Sequence, residues 1–559
     1  MHIQSSTSYS SRPLTIFLLF LLVLGIVYSP VLYFDYLFHD DVYFWLKLKE
    51  FGFKHPLHDY TISMGRYAQA WLETFENIFV HKVSDLKFLR FLGIVVLSAN
   101  AYLCLQQLRR LSWPDIQSFL VLASMFVLPG FADIVFYAVW SFLTLAILLA
   151  VWSFHKVQTS KAITSPIFIL FVAITIYPPC AMFYWTMVGA SILFTKDRFS
   201  SVFKKDILRT LAVGLSSLLA YAFLILMMKN FYGQKVTNTL YNPYEISQDV
   251  VGKLQWFFHE PLINALNLWS IFPKVSTAIA VFVFITLTAL IIGLMRLKQA
   301  EVYKRREIVA TYLWQLGLFV FVFFLTFLPN LAAHDNAAFY RCLIPLTSLV
   351  LFALIWALIQ WVKIIASNQA MNRLMIIGLL SIAVVYGGIK TYQNVLCYRV
   401  LLSHVEWSAF RLMAENISLK KVDAIYMIRP NHIPPIERYD EFGVVSSHYQ
   451  QDLYSLLLCA FREAGNQEQY PVPLIFISDP DDKKIFYYEE IYFKKLSNEK
   501  WVFRRITKAD SFHEFEHSFL GETLDEGTFG LVDQSKDIHS QKSLYILDLR
   551  TLFSLENFV

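Results

Sequence analysis

Charge is missing from long stretches of this sequence. Residues 14–34, 91–108, 116–132, 134–154, 210–228, 275–295, 308–333, 342–362 and 374–389 contain no Asp, Glu, Lys or Arg. Residues 162–195 form another such run, too long for one crossing and interrupted by Pro178-Pro179, so it divides into two helices around a tight turn. A helix needs about 20 apolar residues to cross roughly 30 Å of hydrocarbon. In lipid, only helices and closed barrels satisfy their own backbone hydrogen bonds. The pattern predicts a polytopic α-helical membrane protein with about eleven transmembrane helices.

Composition closes off the alternatives. Charged residues make up 16% of the chain and hydrophobic residues 56%, against about 25% charged in an ordinary soluble domain. Mean hydropathy is +0.47. Disorder, collagen and coiled coil fall away on these figures, and a net charge of +5 over 559 residues is too small to grip nucleic acid. Cys104, Cys180 and Cys342 lie in apolar runs, so the five cysteines do not form a disulfide framework. The first run follows Arg12 like a signal peptide, but its core is long and no small-x-small cleavage site follows, so it reads as an uncleaved span.

Orientation follows from the short loops. If Arg12 is cytoplasmic, alternate loops carry Arg109-Arg110, then Lys156 and Lys161, then Lys196, Arg198, Lys204, Lys205 and Arg209. The later ones carry Arg296, Lys298, Lys304, Arg305 and Arg306, then Lys363 and Arg373. The turns near Pro129-Gly130 and Pro178-Pro179 carry no basic residue. This positive-inside bias predicts a cytoplasmic N-terminus and an extracytoplasmic C-terminus in a bacterial inner membrane. The transmembrane part, residues 1–389, then has outer loops at 35–90, 229–274 and 329–341. Residues 390–559 have ordinary soluble composition and predict an extracytoplasmic α/β or α+β domain, with helices at 402–414 and 453–464 and strands at 422–428, 472–478, 484–492 and 544–549.

The polar mass is one-sided, and the candidate chemistry is on that side. His39-Asp40-Asp41 stands just beyond the first span; paired carboxylates at a membrane face are costly unless a cation or an acceptor hydroxyl meets them. Solvated surface acids are the plain alternative. The same loop carries Gly65-Arg66 and an aromatic-rich amphipathic segment, residues 69–80, suited to lying along the interface. A guanidinium there suits phosphate oxygens, although Arg66 taken alone equally fits headgroup snorkelling. His334, Asp335 and Arg341 form a second cluster, Arg341 being either an anion site or an interfacial anchor. Residues 253–269 read as two surface helices broken at Pro261, walling a cavity that His259 and Glu260 could reach. Tyr177, at the Pro178-Pro179 turn, could line the same space. Zinc is poorly supported, since His39, Asp40 and Asp41 are adjacent rather than one helical turn apart. No cofactor is required; a loosely held divalent cation on the paired acids is compatible with them.

Together, Asp40-Asp41, Gly65-Arg66, the Tyr177-Pro178 turn and the Trp-Phe and Ala-Leu-Asn-Leu-Trp text within 253–269 resemble the GT-C superfamily of membrane glycosyltransferases. The likeness covers roughly residues 14–389 and is nearest to the bacterial glucosyltransferases that decorate O-antigen, including the serotype-converting enzymes. The resemblance implies a polyprenyl-phosphate-sugar donor, a glycan acceptor such as the O-antigen of lipopolysaccharide, and inverting hexosyl transfer at the outer face of the bilayer. Asp40 or Asp41 would be the base, its neighbour orienting the acceptor or a cation, with Arg66 and Arg341 holding the donor phosphate. Pro178-Pro179 departs from the polar turn expected of the family, and the C-terminal domain is larger than usual. The rivals are a lipid-linked glycan transporter or flippase, an outer-face glycan polymerase or ligase, and a non-catalytic assembly factor. Nearly charge-free spans argue against the transporter, which tends to place ionisable groups at mid-bilayer.

Overall fold

The computed structural model describes residues 13–42, 61–195 except 63 and 78, 201–232, 246–299 except 273, 305–366 and 368–416. Beyond these it describes residues 424–428, parts of 456–464, and five further strands. The basic residues Arg12, Lys196, Arg198 and Lys304, and residues 43–60 of the first long loop, lie outside the described residues.

The protein is a helical bundle with the apolar character of a membrane protein. Among the described residues, six helices are long and apolar enough to cross a bilayer: Val83–Arg110, Ala138–Thr159, Phe203–Met228, Val275–Met295, Tyr340–Ile365 and Gln369–Glu415. A seventh crossing arises if the bent pair Asp115–Met125 and Pro129–Phe136 is one span, and four shorter apolar helices lie at Pro13–Val27, Thr164–Ile176, Pro178–Phe194 and Val309–Leu325. Tyr340–Ile365 is the central member, 83% buried over its apolar window, whereas Phe203–Met228 is peripheral at 17%. On the peripheral helices Leu219, Phe223 and Leu226 face outwards, as lipid-facing side chains would.

Several runs that read as straight spans are broken. The first helix stops at Val27 and resumes for one turn at Pro30–Tyr33, because proline fits the first helical position but cannot continue a ladder. Residues 116–132 are not one rod: the helix ends at Met125, restarts at Pro129 and bends by 64°. Such a break frees carbonyl groups that have no water to turn to. Side chains supply the missing donors. Trp269 Nε1 donates to the Ser124 carbonyl at 2.9 Å, Tyr28 to Phe126 at 2.8 Å, Thr391 to Val127, and Tyr36 to Phe136 at 2.8 Å. The run 308–333 likewise ends its long helix at Leu325, ahead of the short helix Leu328–Ala332 that contains Pro329.

The expected boundary after Ile389 falls inside a helix. Gln369–Val395 passes through a π turn at Leu396–Val400 into Leu401–Asn416 without a gap. The helix predicted at 402–414 is thus the end of this long helix, and His404 Nδ1 meets the Asp35 carbonyl at 2.8 Å. Beyond it, six strands form one sheet: Ala424–Ile428 (β1), Leu474–Ser478 (β2), Ile485–Tyr488 (β3), Arg505–Ile506 (β4), Asp533–Lys536 (β5) and Ser543–Asp548 (β6). Their order is β4-β3-β2-β1-β6-β5, with β1 parallel to both β2 and β6 and the outer pairs antiparallel.

Close approach of the bent pair to the central helix depends on Gly130. A Cβ there would stand 2.5 Å from both the Tyr340 carbonyl oxygen and Ile344 Cγ1, whereas one at Gly25 would meet nothing within 4 Å. Gly130→Ala is expected to cost about 1–3 kcal/mol through forced backbone displacement. Thermal unfolding in detergent should show a lowered midpoint for Gly130→Ala and none for Gly25→Ala.

Candidate functional site

The chain leaves Pro30–Tyr33 in extended form and reaches His39, which has a positive φ of 38°. A non-glycine residue held there is strained, and such strain persists only where its surroundings over-determine it. Those surroundings are aromatic: His39 is buried, its ring edge-on to Phe38 at 4.3 Å, and Phe38 packs on Phe136 and Tyr137. The next turn closes through Asp41 N–H to the Phe38 carbonyl and Val42 N–H to the His39 carbonyl, both at 2.9 Å.

This turn separates the two acids. Asp41 is fully buried, paired with Arg90 Nη2 at 2.9 Å and accepting the Val139 N–H at 3.1 Å. Arg90 is itself fully buried; it also donates to the carbonyls of Phe136 and Tyr36 at 3.1 Å and covers the Tyr36 ring at 3.7 Å. Both oxygens of Asp41 are engaged in holding the loop; Asp40 beside it is part-buried, and neither acid lines the cavity formed further along the chain. A second buried pair, Arg399 with Asp133, joins the π turn to the bent helices beneath Phe136.

The loop then turns at Gly65, whose φ is +74°. Any Cβ at that position would lie 2.5 Å from Ile225 Cδ1 and 2.7 Å from the Tyr221 hydroxyl, which explains the glycine before Arg66. Arg66 starts the helix Tyr67–Asn77, where a cation opposes the helix dipole and tertiary contacts must hold it. Its guanidinium lies 4.8 Å from the centre of the Tyr177 ring. Tyr177 in turn accepts a hydrogen bond from Arg341 Nε at 3.1 Å, and Arg341 stacks over Trp140 at 4.1 Å. Arg66, Tyr177, Asp335 and Arg341 thus line one cavity of about 510 Å³. Most of its remaining wall is apolar and comes from the helix Ser201–Tyr232 together with residues 328–342, and Leu219, Leu226 and Ile246 of the cavity lining are 71%, 64% and 71% exposed. The cavity is therefore an apolar trough, open along its flank, with two guanidinium groups, a phenol and Asp335 in its wall. That shape and chemistry suit an amphiphile with an anionic head.

Other expected residues lie apart. His334 is exposed and lies 3.5 Å from Asp335, and His259 is exposed too. Glu260 accepts from Trp256 Nε1 at 2.7 Å; neither it nor His259 lines the cavity. The two helices of the 253–269 segment do form, at Val250–His259 and Pro261–Leu266. Their link to the site is Lys253, whose ammonium donates to the Asp335 carbonyl at 2.7 Å and to Asn336 Oδ1 at 2.8 Å. Burial lowers the Lys253 pKa, against a smaller upward pull from Asp335.

Two acids were missed. The helix Tyr67–Asn77 is amphipathic in an inverted sense: Trp71 and Phe75 are exposed, as is Phe79 just beyond it, while Gln69, Thr74 and Glu76 are buried. Glu73 accepts from Thr61 Oγ1 at 3.0 Å and from Gln69 Nε2 at 2.7 Å. Burial pushes its carboxyl up to about 7, against the pull of these donors and of Arg66, with Asp40 adding a smaller upward push. Glu76 accepts from Ser141 Oγ at 3.1 Å, and burial raises its pKa well above the ordinary range. The available signal was the spacing itself, acids at 73 and 76 set between aromatics at 71, 75 and 79. Among the described residues, no group of three or more His, Cys, Asp or Glu side chains is placed to hold a metal ion.

No known protein-family model matches the chain, and no curated protein matches it either.

Two predictions follow from the buried charges. Arg90→Ala leaves Asp41 uncompensated and is expected to cost about 3–5 kcal/mol, whereas Arg90→Met with Asp41→Leu should recover most of the loss. Chemical or thermal unfolding of the single and double variants checks this. Glu73 and Glu76 hold their protons more tightly folded than unfolded, so stability is greatest below the ordinary glutamate range and declines as pH rises through about 7. A double Glu73→Gln, Glu76→Gln variant should flatten that decline in a series of melting curves from pH 5 to 8.

Proposed function

We propose that this protein is a polytopic glycosyltransferase at the outer face of a bacterial cytoplasmic membrane. In this reading the eleven apolar helical segments all cross the bilayer, the N-terminus is cytoplasmic, and residues beyond the last crossing form an extracytoplasmic α/β domain. The enzyme moves a hexose, glucose being the expected one, from a polyprenyl-phosphate carrier to a hydroxyl of a surface glycan such as O-antigen.

The observation that carries this reading is the meeting of Arg66, Arg341 and Tyr177 in the wall of an apolar cavity. A polyprenyl phosphate presents a charged diester at the end of a hydrocarbon chain, and the cavity offers both surfaces at once. Asp40 supplies the base. As the acceptor oxygen forms its bond to the anomeric carbon, its proton passes to the Asp40 carboxylate. The bond from that carbon to the phosphate oxygen breaks, and its electron pair goes to the phosphate, where the guanidinium groups of Arg66 and Arg341 stabilise it. Attack from the face opposite the leaving phosphate inverts the anomeric centre. Asp41, tied to Arg90, holds Asp40 in place. The carrier phosphate is a good leaving group, so neither a general acid nor a cofactor is required.

A specific feature favours a second reading. The broken helix of the bent pair and its buried Asp133–Arg399 contact are of the kind that transporters place within the membrane, which fits movement of a lipid-linked glycan across the bilayer.

The test is purified protein with undecaprenyl-phosphate-linked glucose, mannose or galactose, scoring transfer to cell-surface glycan. Asp40→Asn is expected to lower the rate by about 10²–10⁴-fold with normal folding. Arg66→Ala and Arg341→Ala should each lower it by about 10²-fold or more. Near-normal transfer by Asp40→Asn would remove Asp40 as base. Movement of the intact lipid-linked sugar across liposomes without transfer would establish the transporter instead.

A further inference from the structure

Arg66 reaches the cavity only because the turn before it is held from two sides. On one side, Tyr221 donates to the Gly65 carbonyl at 3.3 Å. On the other, the Thr61 hydroxyl donates to Glu73 Oε2 at 3.0 Å, while the Thr61 carbonyl accepts the Arg66 N–H at 3.2 Å. Glu73 therefore grips the residue that opens the turn, and Gln69, from the same helix, fixes its other oxygen at 2.7 Å. Its carboxyl also lies within electrostatic reach of the Arg66 guanidinium and of Asp40.

We propose that Glu73 is a positioning residue that sets how strongly the cavity holds the phosphodiester head of a lipid, clasping the turn that presents Arg66 and opposing its charge when ionised. The proposal rests on the reading of the cavity as a lipid-phosphate site, and is independent of whether sugar transfer follows. A lipid is the source favoured here because the wall is apolar and its exposed members, Leu219, Leu226 and Ile246, continue the outward-facing surface of the peripheral helices.

Among the described residues, the charged groups acting on Glu73 come from the loop and from its own helix. Arg66 and Asp40 face it from the loop, and Glu76 from its own helix, with Asp41 beyond Glu76. The helix Thr164–Ile176, packed against Tyr67–Asn77, has no titratable side chain. With its carboxyl held up to about 7 by burial, Glu73 changes charge within the physiological range. When it is neutral, it takes nothing from the positive potential that Arg66 and Arg341 give the cavity beside Asp335. Once it is ionised, part of that potential is cancelled next to the head group.

The experiment measures binding of undecaprenyl-phosphoglucose to the full-length protein in nanodiscs from pH 5.5 to 8.5, a range over which a phosphodiester keeps one charge. The wild type should lose about threefold to tenfold in affinity as pH rises through 7, a scale set by one partly screened charge nearby. Glu73→Gln should bind at every pH as tightly as the wild type does at pH 6. Thr61→Val removes a donor that favours the ionised form, so it should move the midpoint upwards and keeps the test open should Glu73→Gln fail to fold. A Glu73→Gln profile that still falls as the wild type does, or an unmoved midpoint in Thr61→Val, overturns the proposal. Equal affinity for dimethyl phosphate would overturn the lipid source. Binding with the expected pH dependence but no sugar transfer upholds this inference and rejects the transferase; transfer with a pH profile indifferent to Glu73 does the reverse.

Discussion

Arg90 is a guanidinium with no water around it, and much of this end of the bundle is arranged to satisfy it. Its donors reach Asp41, the Tyr36 carbonyl and the Phe136 carbonyl, and its face covers the Tyr36 ring. Those partners reach the helix Leu86–Arg110, which carries Arg90, from two separate pieces of chain: the extended segment after the first helix, and the end of the bent pair. A buried ion pair of this kind adds little net stability over an apolar packing, but removing one partner is severe. Its contribution is to fix a register. With Arg90 in place, Asp41 is tied to the bundle, and Asp40 beside it is part-buried.

The same logic explains the unusual helix Tyr67–Asn77. Its acids point inward and its aromatics outward, the reverse of a helix on a water-soluble protein. In water that arrangement would expose Trp71 and Phe75 to no purpose. Against lipid it is the favourable orientation, and the inward acids are then left in a low-dielectric setting that keeps protons on them. Arg66 at the start of this helix, Arg341 at the start of the central helix and Tyr177 at a proline break all belong to helix ends. Helix ends are where a membrane protein can bring polar groups together without leaving backbone unsatisfied.

Much of this was legible in the chain. The charge-free runs fall on the helices found, Pro178-Pro179 does break its run, and the Gly65-Arg66 pair is a turn that needs glycine. Pairing of Arg66 with Tyr177 and Arg341 was legible only as a list of candidates, because their separations of more than 100 positions carry no signal in periodicity. The bend at Pro129 was harder still: Pro129-Gly130 reads as an ordinary turn between two spans, and only the donors from Trp269, Tyr28, Tyr36 and Thr391 reveal that a broken helix is being stabilised inside the bundle.

Hydrophobic length is a local property, so the sequence alone determined that this is a membrane-type helical bundle. Which of two neighbouring aspartates is paired with Arg90 depends on what lies across the bundle. Arg90, 49 positions away, takes Asp41. A buried charge must be met by whichever group the packing brings within reach, and that group is chosen by the tertiary structure.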